Sequence, residues 1–150
     1  MFLAILTLSR TVMTMTKVDP KRSANMARIR PQDTAPEMAV RRILHRMGYR
    51  FRLHQRDLPG KPDVVLSRYS TIFLVHGCFW HRHPSCRFAY SPKSRVDFWQ
   101  AKFEANVTRD RKVERQLWEM GWTVRIIWEC ETFNLDSLEA LLRRVLCGKK

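Results

Sequence analysis

The chain has 150 residues, 45% of them hydrophobic, which suits a single domain with a buried core. Its formal net charge of +14 points to a polyanionic partner, nucleic acid before anionic membrane, over a merely solvated basic surface. The apolar run Phe2–Leu8 is too short to span a bilayer. It also lacks the flanking charge and cleavage site of a secretory signal.

Residues 1–16 are read as a disordered extension, and residues 17–32 as a basic arm carrying Lys17, Lys21, Arg22, Arg28 and Arg30. Such an arm clasps DNA or is merely solvated. Asp33-Thr34-Ala35-Pro36-Glu37 is a helix start: a cap, a proline in the first turn and an acid at the positive end of the dipole. Met38, Val40, Ile43, Leu44 and Met47 then recur at helical spacing up to Gly48. Tyr49–Leu53 alternates and predicts a strand. After the turn Leu58–Pro62, Val64–Leu66 and Thr71–Val75 predict two buried strands. Asp97–Met120 predicts a helix with Phe98, Phe103, Val107, Val113, Leu117 and Met120 on one stripe. Its other face carries Lys102, Arg109, Arg111, Lys112 and Arg115. Trp122–Trp128 predicts a strand and Leu135–Leu146 a last helix. This order implies an α/β layered fold around a mixed sheet.

The segment His76–Cys86 packs two thiols, three imidazoles and the pair Phe79-Trp80 into one loop. Cys78, His83 and Cys86 suit a tetrahedral structural zinc, with Cys130 beyond the last strand as the best fourth ligand. The alternative is a set of reduced, partly buried cysteines, and Cys147 is a bystander. Cysteines used this way fit a reducing cytoplasm. Asp63, at the start of a buried strand, can bind a hard cation such as Mg²⁺, although most Pro-Asp pairs are simply turns. His81 and His76 can accept a proton from water, or be core histidines. Glu37 and Asp110 are carboxylates that can reach the same place. Glu37 also serves as a dipole partner. Phe79, Trp80 and Trp99 can wedge into a base stack while Arg109, Arg111 and Lys112 hold phosphates.

These residues resemble the very-short-patch repair DNA mismatch endonucleases. The matching stretches are Arg-Ser-x-Asn-Met at 22–26, Asp-Thr-Ala-x-Glu at 33–37, Leu-Pro-Gly-Lys-Pro-Asp at 58–63, His-Gly-Cys-Phe-Trp-His at 76–81, Asn-Val-x-Arg-Asp-Arg at 106–111 and Gly-Trp-x-Val-x-Ile-x-Trp-Glu-Cys at 121–130. The resemblance implies a restriction-endonuclease-like three-layer fold over residues 33–150. It also implies Mg²⁺-dependent nicking 5′ of the thymine in T:G mismatches left by deaminated 5-methylcytosine. By position, Asp63 and the Val75 backbone carbonyl would bind Mg²⁺, and His81 would be the general base. Asp110 would support His81, and Glu37 would reach water on the metal. Phe79, Trp80 and Trp99 would enter from the major groove and Met26 from the minor groove. Cys78, His83, Cys86 and Cys130 would hold zinc. The wider superfamily's acidic-x-Lys pair is absent, and His81 takes its place. The spacing from His83 to Cys86 is one residue longer than the family pattern. The resemblance further implies a nucleoid-associated bacterial monomer, with mismatch-repair proteins and a DNA polymerase as further partners. Two other readings fit the residues: a zinc-stabilised DNA-binding module without catalysis, and a restriction enzyme making double-strand breaks.

Overall fold

The computed structural model describes residues 32–147. The expected extension 1–16 and residues 17–31 of the expected arm, Met26 among them, lie outside the described residues.

Helix α1 (Ala35–Arg46) starts at Thr34, whose hydroxyl accepts from the Glu37 N–H. Pro36 costs nothing there, because first-turn amides have no partner within the helix. Val40, Ile43 and Leu44 are buried, and Gly48 turns the chain at φ +82°. The strand expected at Tyr49–Leu53 does not form. Arg52 alone pairs, antiparallel with Val65, through two 2.9 Å backbone bonds. The alternation is present but pairing stops, because His54 turns to φ +45° and Leu53 faces water at 42% exposure. Tyr49 instead packs edge-on against Tyr69.

Strand β1 (Val64–Leu66) pairs antiparallel with β2 (Thr71–His76), and β2 pairs parallel with β3 (Thr123–Trp128). The parallel pair needs a long crossover, which α2 (Val96–Glu119) provides. Helix α3 (Leu135–Leu146) closes the domain, capped by Asn134. Alternate side chains of β2 leave on opposite faces. Phe73 joins Val64, Leu66 and Ile127 beneath α1 and α3. Ile72 and Leu74 join Val65 and the α2 residues Leu117 and Val113. The molecule is therefore α/β, a mixed three-stranded sheet between helices.

The α2 stripe departs from expectation at its ends. Trp99, Phe103 and Leu117 are buried, but Phe98 and Met120 are 46% and 54% exposed. Met120 caps the helix rather than belonging to it, and Phe98 points about 100° away from Trp99. Among the described residues no helix is long and apolar enough to cross a membrane.

Candidate active site and metal centre

Gly60 sets the first component. At φ +72° it brings its turn so close to α2 that an added Cβ would lie 2.5 Å from Val113 Cγ1. This approach delivers Asp63 to the head of β1, where its Oδ2 accepts from the Val75 N–H of β2 at 2.7 Å. Burial pushes the Asp63 carboxyl up to about 6 against that bond, and the neighbouring Glu37 charge adds to the rise. A carboxylate held where its charge is unwelcome, beside the end of β2, is a fitting donor for a hard cation.

Glu37 is 4% exposed and well held. Its Oε1 accepts from the Thr34 hydroxyl, and its Oε2 accepts from the Asp33 N–H and from Arg41. Arg41 also bridges to Asp33 Oδ1 at 2.5 Å and to His54 Nε2 at 2.9 Å. Arg41 and His54 are additional to the site residues expected from the sequence. The Glu37-to-Arg41 spacing of one helical turn was a readable sign of the ion pair. Nothing local marked His54.

Next to Val75, His76 is buried and stacks on His81 at 4.0 Å between ring centres and 13° between planes. Burial, with the adjacent His81 charge, lowers His76 to about 4, so it stays neutral. His81 Nδ1 lies 2.5 Å from Asp110 Oδ2 on α2. Burial alone would raise Asp110, but the His81 bond and the charges of His81 and Arg109 hold its carboxyl below the ordinary value. With Nδ1 engaged by a carboxylate, Nε2 is the nitrogen free to accept a proton. Contacts thus run unbroken from Asp63 through Val75, His76 and His81 to Asp110.

The Cys78, His83, Cys86 and Cys130 donor atoms all lie within 4.8 Å of one another. His83 Nδ1 is 3.6 Å from Cys78 Sγ and 3.3 Å from Cys130 Sγ. Tetrahedral bonds of ~2.3 Å to sulfur and ~2.0 Å to nitrogen set ligand atoms about 3.5 Å apart, so the cluster fits one metal ion. A turn brings Cys86 back toward His83: Ser85 sits at φ +55° and the Cys86 N–H donates to His83 O. Burial pushes the Cys78 thiol up to about 12, so thiolate there calls for a cation. The His83 ring stacks on Trp128 at 4.3 Å, and Glu129 Oε2 accepts from the Cys78 N–H.

Phe79 and Trp80, which follow Cys78 in the loop, belong to an aromatic cluster. Phe79 is half-buried among Trp80, Tyr90, Trp99 and Phe103, with ring centres 5.0–5.5 Å away. Trp80 is half-exposed, whereas Trp99 is only 8% exposed and lies behind both. Asn106 of α2 donates to the Trp80 carbonyl at 3.1 Å. Arg109, Arg111 and Lys112 are exposed on α2 around Asp110.

Residues 15–87 match the family model described as DNA mismatch endonuclease Vsr. The chain is 50% identical over 121 residues to the type II nicking enzyme V.XorIIP of Xanthomonas oryzae, covering 81% of this chain and 88% of that one. It is 42% identical over 126 residues to the type II nicking enzyme V.NmeAIP of Neisseria meningitidis, covering 84% and 89%. It is 41% identical over 133 residues to the DNA mismatch endonuclease Vsr of Escherichia coli, covering 85% of each chain.

Proposed function

Because the chain belongs to the Vsr family of DNA mismatch endonucleases, we propose that it nicks one DNA strand 5′ of the thymine in a T:G mismatch. Such nicking would start very-short-patch repair of deaminated 5-methylcytosine. The observation that carries this reading is the division of labour between consecutive residues. Trp80 joins the aromatic cluster, while His81 turns to Asp110. Recognition and proton transfer are then one peptide bond apart.

In this reading Phe79 and Trp80 enter the stack, supported by Trp99, and Met26 pushes from the opposite groove. Unstacking a base step costs a few kcal/mol, which broad rigid rings recover. Arg109, Arg111 and Lys112 hold backbone phosphates. Asp110 keeps the His81 ring oriented, and Nε2 takes the proton from the water that attacks phosphorus while one bridging P–O bond breaks and its oxygen leaves with the other end of the nicked strand. Asp63 and the Val75 carbonyl would hold Mg²⁺, which supplies charge neutralisation at the phosphate and a lowered pKa for water. Glu37 Oε1 has lone-pair capacity beyond its Thr34 bond and orients water at that corner. Cys78, His83, Cys86 and Cys130 would hold zinc, which would fix the loop from which wedge and base project. We read the fold as restriction-endonuclease-like and the protein as a cytoplasmic, nucleoid-associated monomer working with mismatch-repair proteins and a DNA polymerase.

Duplexes carrying T:G in several flanking contexts, labelled on one strand at a time and incubated with Mg²⁺, test the reading. The expected product is a nick in the thymine strand, with the matched C:G duplex intact. Cleavage of both strands, or equal cleavage of the matched duplex, would overturn it.

A further inference from the structure

Two exposed cations at the rim of the aromatic cluster, Arg95 and Lys102, share one ring. The Arg95 guanidinium carbon lies 4.5 Å from the centre of the Phe98 ring, and the Lys102 ammonium lies 5.9 Å from the same centre. Lys102 also stands 5.2 Å from the Trp80 ring centre and 5.9 Å from that of Trp99. Phe98 therefore shares one side of α2 with Trp80. It meets Trp99 edge-on at 5.4 Å and is 46% exposed, so it forms the outer edge of the cluster. Arg41, Arg46, Arg125 and Arg143 each pair with a carboxylate. By contrast, among the described residues no carboxylate pairs with Arg95 or Lys102, and no acceptor takes a hydrogen bond from the Arg95 guanidinium. Asp97 and Glu104 are the nearest acids in sequence, and Glu104 accepts from Gln100 instead.

Two positive charges beside one ring repel each other. The negative face of the ring offsets part of that repulsion and leaves the net charge in place. A phosphodiester supplies both the missing charge and the acceptor oxygens, and a guanidinium can grip two such oxygens at once. The ring contact also restrains the guanidinium beforehand, so less freedom is lost when it takes a ligand. We propose that Arg95 over Phe98 is a seat for one DNA backbone phosphate at the rim of the aromatic cluster. Phe98 is a positioning residue there: it holds Arg95 for the phosphate and does not itself enter the base stack. The inference rests on the reading of the chain as an enzyme that binds DNA. If Phe98 acts through Arg95, losing Phe98 matters only while Arg95 is present. A ring that stacked on a base itself would cost as much without Arg95 as with it.

The test titrates the full chain into T:G and matched duplexes, without divalent metal and over a range of salt concentrations. Both side chains are exposed, so their variants keep the fold. Arg95→Gln should weaken binding to both duplexes about three- to tenfold and reduce the salt slope by about 1. Phe98→Ala should weaken both about two- to fivefold, the size of an exposed cation–π contact. Phe98→Tyr keeps the ring and should bind within about twofold of wild type. The double variant, Arg95→Gln with Phe98→Ala, should bind as Arg95→Gln alone does. Wild-type binding by either single variant overturns the inference. So does a further loss in the double variant as large as that from Phe98→Ala alone. If the wild-type chain binds neither duplex, the DNA reading itself fails, and this inference fails with it.

Discussion

Asp63 shows how a functional residue is held at a cost to the fold. Its unfolded carboxyl ionises near 3.8 and its folded one near 6. Below pH 4 both states are protonated and the burial carries no charge penalty. Between these values the folded state binds more protons, so stability falls as pH rises, and above 6 the penalty is complete. Asp63→Asn keeps an acceptor for the Val75 N–H and removes the charge. It should stabilise the metal-free protein by about 1–3 kcal/mol at pH 8 and by almost nothing at pH 3.5. Thermal unfolding at the two pH values checks this; equal shifts would show that charge burial is not the cause. Asp110→Asn should lower nicking by about 10²-fold or more while leaving DNA affinity nearly unchanged, because the amide no longer fixes the His81 ring. Single-turnover rates beside binding isotherms read both. The motif residues of this site were legible because their types and order are chemically unusual: an aspartate between a Gly-Lys-Pro turn and an apolar run, and histidines flanking Gly-Cys-Phe-Trp. The contact of His54 with Arg41 was not, because it spans thirteen residues and only the fold closes it.

At the scale of elements, α2 is the bracket on which the site hangs. Its Asn106 and Asp110, one turn apart, hold consecutive residues of the His76–Cys86 loop, and its Val113 receives the Gly60 turn. Gly60→Ala combines an unfavourable φ with overlap against Val113 and should cost about 1–3 kcal/mol. Adding Val113→Ala should recover the overlap part and not the backbone part, as denaturant midpoints would show. Removing metal from the Cys78, His83, Cys86 and Cys130 cluster with a strong chelator should release the loop, change tryptophan fluorescence and abolish nicking. Unchanged fluorescence with full nicking would separate the cluster from the site. Helices and buried strands were legible through their periodicity, since Val40, Ile43 and Leu44 or Ile72 and Leu74 face one layer each. The Tyr49–Leu53 segment misled because alternation records which side is buried. Pairing depends on where the chain turns, and His54 turns it away after one bridge. Phe98 misled because an apolar residue beside an aromatic cluster reads as core from spacing alone.

At the scale of the whole molecule, a net charge of +14 makes DNA affinity depend on salt. Arg109→Ala should weaken binding to matched and mismatched duplexes alike and reduce the salt slope by about 1. Trp80→Ala should weaken mismatch binding more than any single Lys or Arg change and leave the slope unaltered. Equal losses from both classes would argue against the wedge. The charge was legible as a sign of a polyanionic partner, and so was its run beside Asp110 at Arg109, Arg111 and Lys112. The central claim is that Asp63 serves the chemistry, while the aromatics and cations serve recognition. It is tested most directly by single-turnover nicking of a T:G duplex by Asp63→Ala, at protein concentrations that saturate the DNA. The account predicts a mismatch complex formed with near wild-type affinity and no nick. Nicking at the wild-type rate from that complex would contradict it.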